Sequence, residues 1–335
     1  MEILERAEEW RDRYARWKQI NEMRGDDVGE HYPWVKNRHA PFQPARRALP
    51  MLNLALFTSA GAYLDGTDPF DTSVFGGDAS FREIPVEVGP EDLKWAARGY
   101  DPAAVLEDMN SQVPIARLKE FEGNGIIGQL NPVFWSLCGF VPNAARFTAT
   151  ALPQLVERVR RYEVQAALLV PASRLCHQTM SLVARAIEMA GIPTMTLAVS
   201  RETVERVRPP RAAYYPGEFG CVAGKPNWPE YQRRVLDEAL RLVEPIDQPS
   251  VRNLTVALET GVEYNELRGV TLIGTASIVD DYEQMFPLGI SVFERYQGAY
   301  TDEMKPFVDV MLRKRVVVKL DVRRTISWDH RKLAQ

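Results

Sequence analysis

Apolar and polar residues alternate along this chain in two different rhythms. Residues 1–23 place Ile3, Ala7, Trp10, Tyr14 and Trp17 three or four apart on an otherwise charged background, the spacing of one helical stripe. Such a stripe must be buried, either on its own chain or against a second subunit. Residues 24–50 carry Pro33, Pro41, Pro44 and Pro50 and read as an ordered but irregular arm. From Met51 onward, short apolar runs alternate with helical spacing. Strands are predicted at 51–58, 126–130, 164–170 and 194–199, and helices at 114–122, 150–161, 175–190 and 229–243. Strands separated by helices pair in parallel and are covered on both faces, so the expected fold is α/β, with ligands at the C-terminal strand ends. The loops at those ends are 59–82, 131–145, 171–176 and 200–228. After Pro245 and Pro249 the pattern turns β-rich at 251–259, 270–280 and 315–322, around a helical stretch at 287–312. Three parts follow: an N-terminal helix and arm over 1–48, an α/β domain over 49–248, and a smaller β-rich domain over 249–335.

Composition narrows the functional classes. The chain has 335 residues, 45% of them hydrophobic and 26% charged, with a formal charge of −4, which gives no general affinity for nucleic acid. No apolar run reaches the length of a membrane span, and the charged start is unlike a signal peptide, so a cytoplasmic protein is expected. Three cysteines, Cys138, Cys176 and Cys221, are too few and too scattered for a disulfide framework or a zinc site, and no metal is expected. Free or catalytic thiols remain.

Residues 168–180, LLVPASRLCHQTM, hold the strongest chemical signal. An apolar strand runs out into a turn that opens a helix, and Cys176 falls in the first helical turn. Unpaired backbone N–H groups, the positive end of the helix and nearby Arg174 all favour its thiolate, so Cys176 should be alkylated before Cys221. Ser173 is placed as the helix N-cap, with a nucleophilic role as the alternative. His177 could serve Cys176 as a base, although adjacent helix residues point in different directions. Cys138, just past a strand end, could pair with Cys176 as a redox couple if their Cα atoms lie within about 7 Å. Cys221 reads as structural.

The segments ALFTSAGAY (55–63), GDASFREIP (77–85), EDMNSQVPIARL (107–118), CHQT (176–179), RAIEMAGIPT (185–194) and AGKPN (223–227) resemble the selenium-dependent subunit of D-proline reductase and the selenoprotein B family of glycine, sarcosine and betaine reductases. The resemblance runs over about 41–245 and implies an α/β fold and a reductive site at Cys176. Where the family places selenocysteine, three residues before the cysteine, this chain has Ser173. A serine hydroxyl is neither redox-active nor ionised near neutral pH, so selenium–sulfur cleavage in its usual form is excluded. Asp78, Arg82, Asp108 and Asn110 match polar positions of the family's motifs. Arg82 could grip a substrate carboxylate with Asp78 beside it, or the two could close a loop. Asp108 and Asn110 could line the site or cap the helix near Val113. Lys225 sits in a tight turn.

The C-terminal part has a second resemblance. RNL (252–254), LRGVTLIGTASIVDD (267–281), RYQG (295–298) and ISWDHRKL (326–333) are similar to the C-terminal half of a flavin-binding split β-barrel of the pyridoxamine-phosphate-oxidase type. The family's phosphate-binding lysine position is Ser250, and Arg252 remains as the residue toward FMN. Only half a barrel is present, so flavin would need a partner to supply the rest. Uncovered edge strands predict an oligomer, most simply a homodimer, with the N-terminal helix and the C-terminal segment in the interface.

The leading expectation is a thiol-dependent enzyme acting on a small amine- or carboxylate-bearing substrate. Cys176 would be the nucleophile or redox thiol, with Ser173, His177 and Cys138 beside it, and Asp78, Arg82, Asp108, Asn110 and Arg174 toward the substrate. The alternatives are a non-catalytic ligand-binding or assembly subunit, and a flavin-dependent oxidoreductase completed by a partner.

Overall fold

The computed structural model describes residues 2–21, 28, 31–243, 253–260, 268–279, 281–312 and 317–329. They fall into two compact units, Met1–Pro249 and Ser250–Gln335.

The first unit opens with α1 (Ala7–Asn21) and reaches β1 (Asn53–Thr58), β2 (Ala62–Leu64), β3 (Phe81–Pro85) and β4 (Leu93–Trp95). Next come α2 (Ala103–Glu107), α3 (Ile115–Gly123), β5 (Gln129–Leu130), β6 (Val133–Leu137) and α4 (Ala144–Arg161). The unit closes with β7 (Ala166–Val170), α5 (Arg174–Met189), β8 (Thr194–Ala198), α6 (Arg201–Val207), β9 (Ala212–Tyr214) and α7 (Pro229–Leu240). Seven strands form one sheet in the order β3-β6-β1-β7-β8-β9, with β5 also paired to β1. All pair in parallel except the edge strand β3, which runs antiparallel to β6. The expected α/β class and mostly parallel sheet are therefore present. β2 and β4 make a separate two-stranded ribbon.

Period-two alternation sorts the sheet's side chains onto two helical layers. Ala55, Phe57, Trp135, Leu137, Ala167 and Leu169 pack with α1, α4 and α5. Leu54, Leu56, Phe134, Leu168, Val170 and Leu197 pack with α3 and α7. Helix α5 is enclosed from Leu175 to Glu188, because the N-terminal arm straps its outer side. That strap is polar and specific: Arg185 donates to the carbonyls of Glu2, Ile3, His39 and Arg208, and Gln178 bonds Tyr32 Oη and Val35 N. Trp10, Tyr14 and Trp17 are buried against their own unit, so the aromatic stripe is not available as the expected subunit interface.

Several elements differ from expectation. β6 lies in what the pattern gives as a loop, and α4 starts six residues earlier than predicted because Asn143 caps it, accepting from Arg146 N at 3.0 Å. α6 and β9 were also read as loop; each is short, with little periodicity to show. The second unit contains β10 (Asn253–Thr260), β11 (Arg268–Val279), α8 (Tyr282–Gln297), α9 (Lys305–Leu312) and β12 (Val317–Asp329). The three strands form an open antiparallel sheet in sequence order. The predicted helix at 287–312 is two helices, parted at Gly298, which has φ +110°. Ser250 and Arg252, named for FMN, lie outside the described residues.

Candidate functional site

The C-terminal ends of β1, β6 and β7 meet the start of α5 and enclose one sulfur atom. Val170 ends β7, and its carbonyl accepts from Ser59 N at 3.1 Å. Ser59 Oγ in turn accepts from Ala172 N at 2.8 Å, which fixes the turn into α5. Ser173 caps the helix as expected, its hydroxyl accepting from Cys176 N at 3.1 Å. The same hydroxyl donates to Cys176 Sγ at 3.0 Å. Gly139 closes the other side. A Cβ at this position would collide with Ser59 and lie 3.1 Å from Cys176 Sγ, so only glycine lets β6 approach so closely. Thr179 donates to the Gly139 carbonyl at 2.6 Å, and Tyr100 reaches over from the β4–α2 loop to donate to Ala60 O at 2.7 Å.

This enclosure corrects the expectation of a ready thiolate. Cys176 has no exposed surface, and burial pushes its thiol up from the ordinary value, more than the hydrogen bond from Ser173 pulls it down. Arg174 does not help. Its guanidinium bonds Glu202 at 2.6 Å, lies over the Trp34 ring and is half exposed. With Cys221 7% exposed and Cys176 fully buried, the expected order of alkylation loses its basis.

His177 is corrected as well. Its Nδ1 lies 2.6 Å from Ser173 O and must donate there, while Nε2 accepts from Val199 N at 3.0 Å. Both ring nitrogens are used, and burial lowers its pKa to about 4. The imidazole is a neutral cross-tie between α5 and the end of β8, not a base for Cys176.

Cys138 follows β6, and its thiol points to Ala96 O at 3.5 Å. Its neighbour Gly139 is the residue whose Cβ direction meets Cys176 Sγ. All three cysteines are free thiols. Burial raises Cys138 to about 12, and charge on Cys176 would raise it further.

The proposed substrate residues are spent locally. Asp78 accepts from Asp71 N, Ser80 N and Ser80 Oγ. Arg82 bonds Ser80 Oγ and the carbonyls of Asp68, Pro69 and Phe81, and its guanidinium lies 4.2 Å from the Phe70 ring centre. These bonds close the loop. Both residues line a surface cleft of about 560 Å³ beside α4, with Arg146 and Arg158. Asp108 caps a 3₁₀ turn (Met109–Ser111) through Asn110 N and also accepts from Asn227 N and Gln232 Nε2. Burial alone would raise its pKa, but these bonds outweigh it and hold the carboxyl low. Asn110 caps α3 by accepting from Ala116 N at 3.0 Å. Lys225 pairs with Glu218 at 3.5 Å.

The structure thus gathers Ser173 and Cys176 with Ser59, Gly139 and Tyr100, three residues the sequence reading did not single out. Ser59 lies in the ALFTSAGAY segment and, like Gly139, just past a strand end, which are the signals that could have found them. Among the described residues, no group of three or more His, Cys, Asp or Glu could hold a metal, and no helix is long and apolar enough to cross a membrane.

Residues 19–172 match the family described as glycine/sarcosine/betaine reductase selenoprotein B. The D-proline reductase subunit gamma of Acetoanaerobium sticklandii is 31% identical over 202 residues, 60% of this chain and 82% of that one. The glycine reductase complex component B subunit gamma of Symbiobacterium thermophilum is 26% identical over 69% of this chain and 56% of its own length. For the sarcosine reductase complex component B subunit beta of Peptoclostridium acidaminophilum the figures are 27%, 53% and 41%. The chain thus spans about half the length of these last two relatives. A crystal structure of a conserved hypothetical protein from Mycobacterium tuberculosis is 54% identical over 24% of this chain and 49% of that one; at a TM-score of 0.22 it says nothing about the fold. The split-barrel likeness and its flavin site gain no support from these similarities.

Proposed function

Because this chain belongs to the glycine/sarcosine/betaine reductase selenoprotein B family, we propose that it is a reductase-related subunit that binds a small amino-acid-derived substrate at the strand-end site around Cys176. The observation that carries this reading is the Ser173–Cys176 pair, hydroxyl to sulfur at 3.0 Å, at the strand ends where an α/β sheet binds its ligands. Cys176 is the reacting thiol. It rests protonated in its enclosure, so the proton must leave when substrate or a partner enters, and Ser173 stands ready to donate to the resulting thiolate. Reductive cleavage consumes two electrons and two protons, which an external dithiol must supply because Ser173 provides no second redox atom.

The relatives' names place them in multi-component complexes, and this chain too is proposed to work as part of an assembly. A homodimer formed through the open three-stranded sheet is its simplest form.

The test is proton NMR of the full chain with dithiothreitol and, in turn, glycine, sarcosine, betaine and D-proline. At least one compound should bind and be consumed, and Cys176→Ala should abolish consumption while the fold persists. If none binds, the reading fails. Binding without consumption would favour a second reading, a non-catalytic ligand-binding subunit, which the full burial and raised pKa of Cys176 already favour.

A further inference from the structure

The last described strand of the second unit has one side open. Strand β12 (Val317–Asp329) is an outer member of the three-stranded sheet, and its inner edge is paired to β11 over nearly its whole length. Among the described residues, nothing pairs its outer edge. A row of unpaired N–H and C=O groups of this length is a template for another strand. Nothing blunts it over residues 317–322, which hold no proline and pair regularly with β11. The bulge comes after them, between the partners of Ile273 and Gly274, and leaves Arg323 without an opposite residue.

The side chains along this stretch fall into two sets. Val318, Leu320 and Val322 share one face, and the two valines are 52% and 47% exposed. Lys319 and Asp321 share the other; both are largely exposed and lie 3.7 Å apart. These positions restrict how a second β12 can pair with the first. Two copies related by a two-fold axis pair antiparallel, and the axis passes through one residue, because only then do both apolar faces fall on the same side of the joined sheet. An axis at Lys319 sets lysine against lysine, and one at Asp321 sets aspartate against aspartate and Lys319 against Arg323. An axis at Val322 runs the ladder through the Arg323 bulge. An axis at Leu320 sets Lys319 of each copy against Asp321 of the other, Val318 against Val322, and Leu320 against itself.

We propose that the outer edge of β12 is a self-association surface whose partner is a second copy of this chain, joined antiparallel with the two-fold axis at Leu320. The two three-stranded sheets become one continuous sheet, closed at two copies because the contact is isologous. Backbone hydrogen bonds supply the attraction, Val318, Leu320 and Val322 cover one face of the seam, and the two Lys319–Asp321 pairs fix the register. The inference rests on the homodimer proposed above and names its edge and its register.

The test is native mass spectrometry and analytical ultracentrifugation of the full chain, as wild type, Lys319→Asp, Asp321→Lys and the double exchange of the two. Wild type should be a dimer at micromolar concentration. Each single change puts two like-charged pairs across the seam and should weaken dimerisation at least about tenfold, more strongly at low salt. The double exchange restores both pairs and should return the dimer to near its wild-type strength. Both side chains are exposed, so circular dichroism should show all four proteins equally folded. A dimer unmoved by either single change, or weakened by both and not recovered by the exchange, would overturn the register and leave the homodimer standing. A wild-type monomer, or a ladder of masses beyond the dimer, would overturn both.

Discussion

Two polar turns of the first unit, one before α3 and one before α5, have been put to opposite uses. In the turn from β7 into α5, the Ser173 hydroxyl bonds Cys176 N and Sγ, and both His177 ring nitrogens bond the backbone. In the turn before α3, Ser111 and Gln112 are as deeply buried and hold atoms that bond nothing described. The residues that look most chemical, a histidine beside a cysteine and an aspartate four residues before a glutamine, are the ones the fold consumes. A buried polar group that is already bonded has little left to offer a ligand, while one left unbonded has a cost that a ligand can offset.

The largest effect should come from the saturated side. His177→Ala leaves Val199 N–H without a partner, removes one of the two hydrogen bonds to Ser173 O and opens a cavity, and should destabilise the first unit by about 3–4 kcal/mol in denaturant melts. The pH dependence follows from the same imidazole. Its folded pKa of about 4 lies below the ordinary 6.5, so the neutral form is the folded one. Stability is therefore complete above pH 6.5 and lost as pH falls from 6.5 toward 4, by roughly 3 kcal/mol in all. Melts across that range should show the slope in wild type, and His177→Ala should flatten it.

Asp108→Ala unpairs Asn110 N and Asn227 N, leaves Gln232 Nε2 with Lys225 O alone, and should cost about 2–3 kcal/mol by the same measurement. Ser173→Ala removes an N-cap and should cost about 1 kcal/mol. Arg174→Ala breaks a half-exposed ion pair with Glu202 and should cost a few tenths of a kcal/mol at most. A large Arg174 effect would mean that its charge acts on Cys176 after all.

The fold was legible where the hydrophobic pattern was strong. The strands at β1, β7 and β8 and the helices α3, α5 and α7 stand within a few residues of their predicted spans, because burial imposes a clear period on them. β6 was hidden by Asn131 and Pro132 just before it, and β3 by the turn-rich loop that leads to it. At the site, Ser173 as cap and Cys176 at the helix start were legible from local chemistry. The protonation of Cys176 was not, because helix start and neighbouring charge are local signals, while burial depends on Gly139, Ser59 and Tyr100 arriving from elsewhere. Elsewhere in the unit, the unbonded atoms of Gln112 were not legible either, since a missing partner becomes visible only once every neighbour is placed.

The enclosed, protonated state of Cys176 is tested most directly by following thiolate ultraviolet absorbance in a pH titration of the full chain beside Cys176→Ala. Near neutral pH the two should be indistinguishable, because the buried thiol holds its proton. A thiolate signal at neutral pH that Cys176→Ala removes would contradict the account.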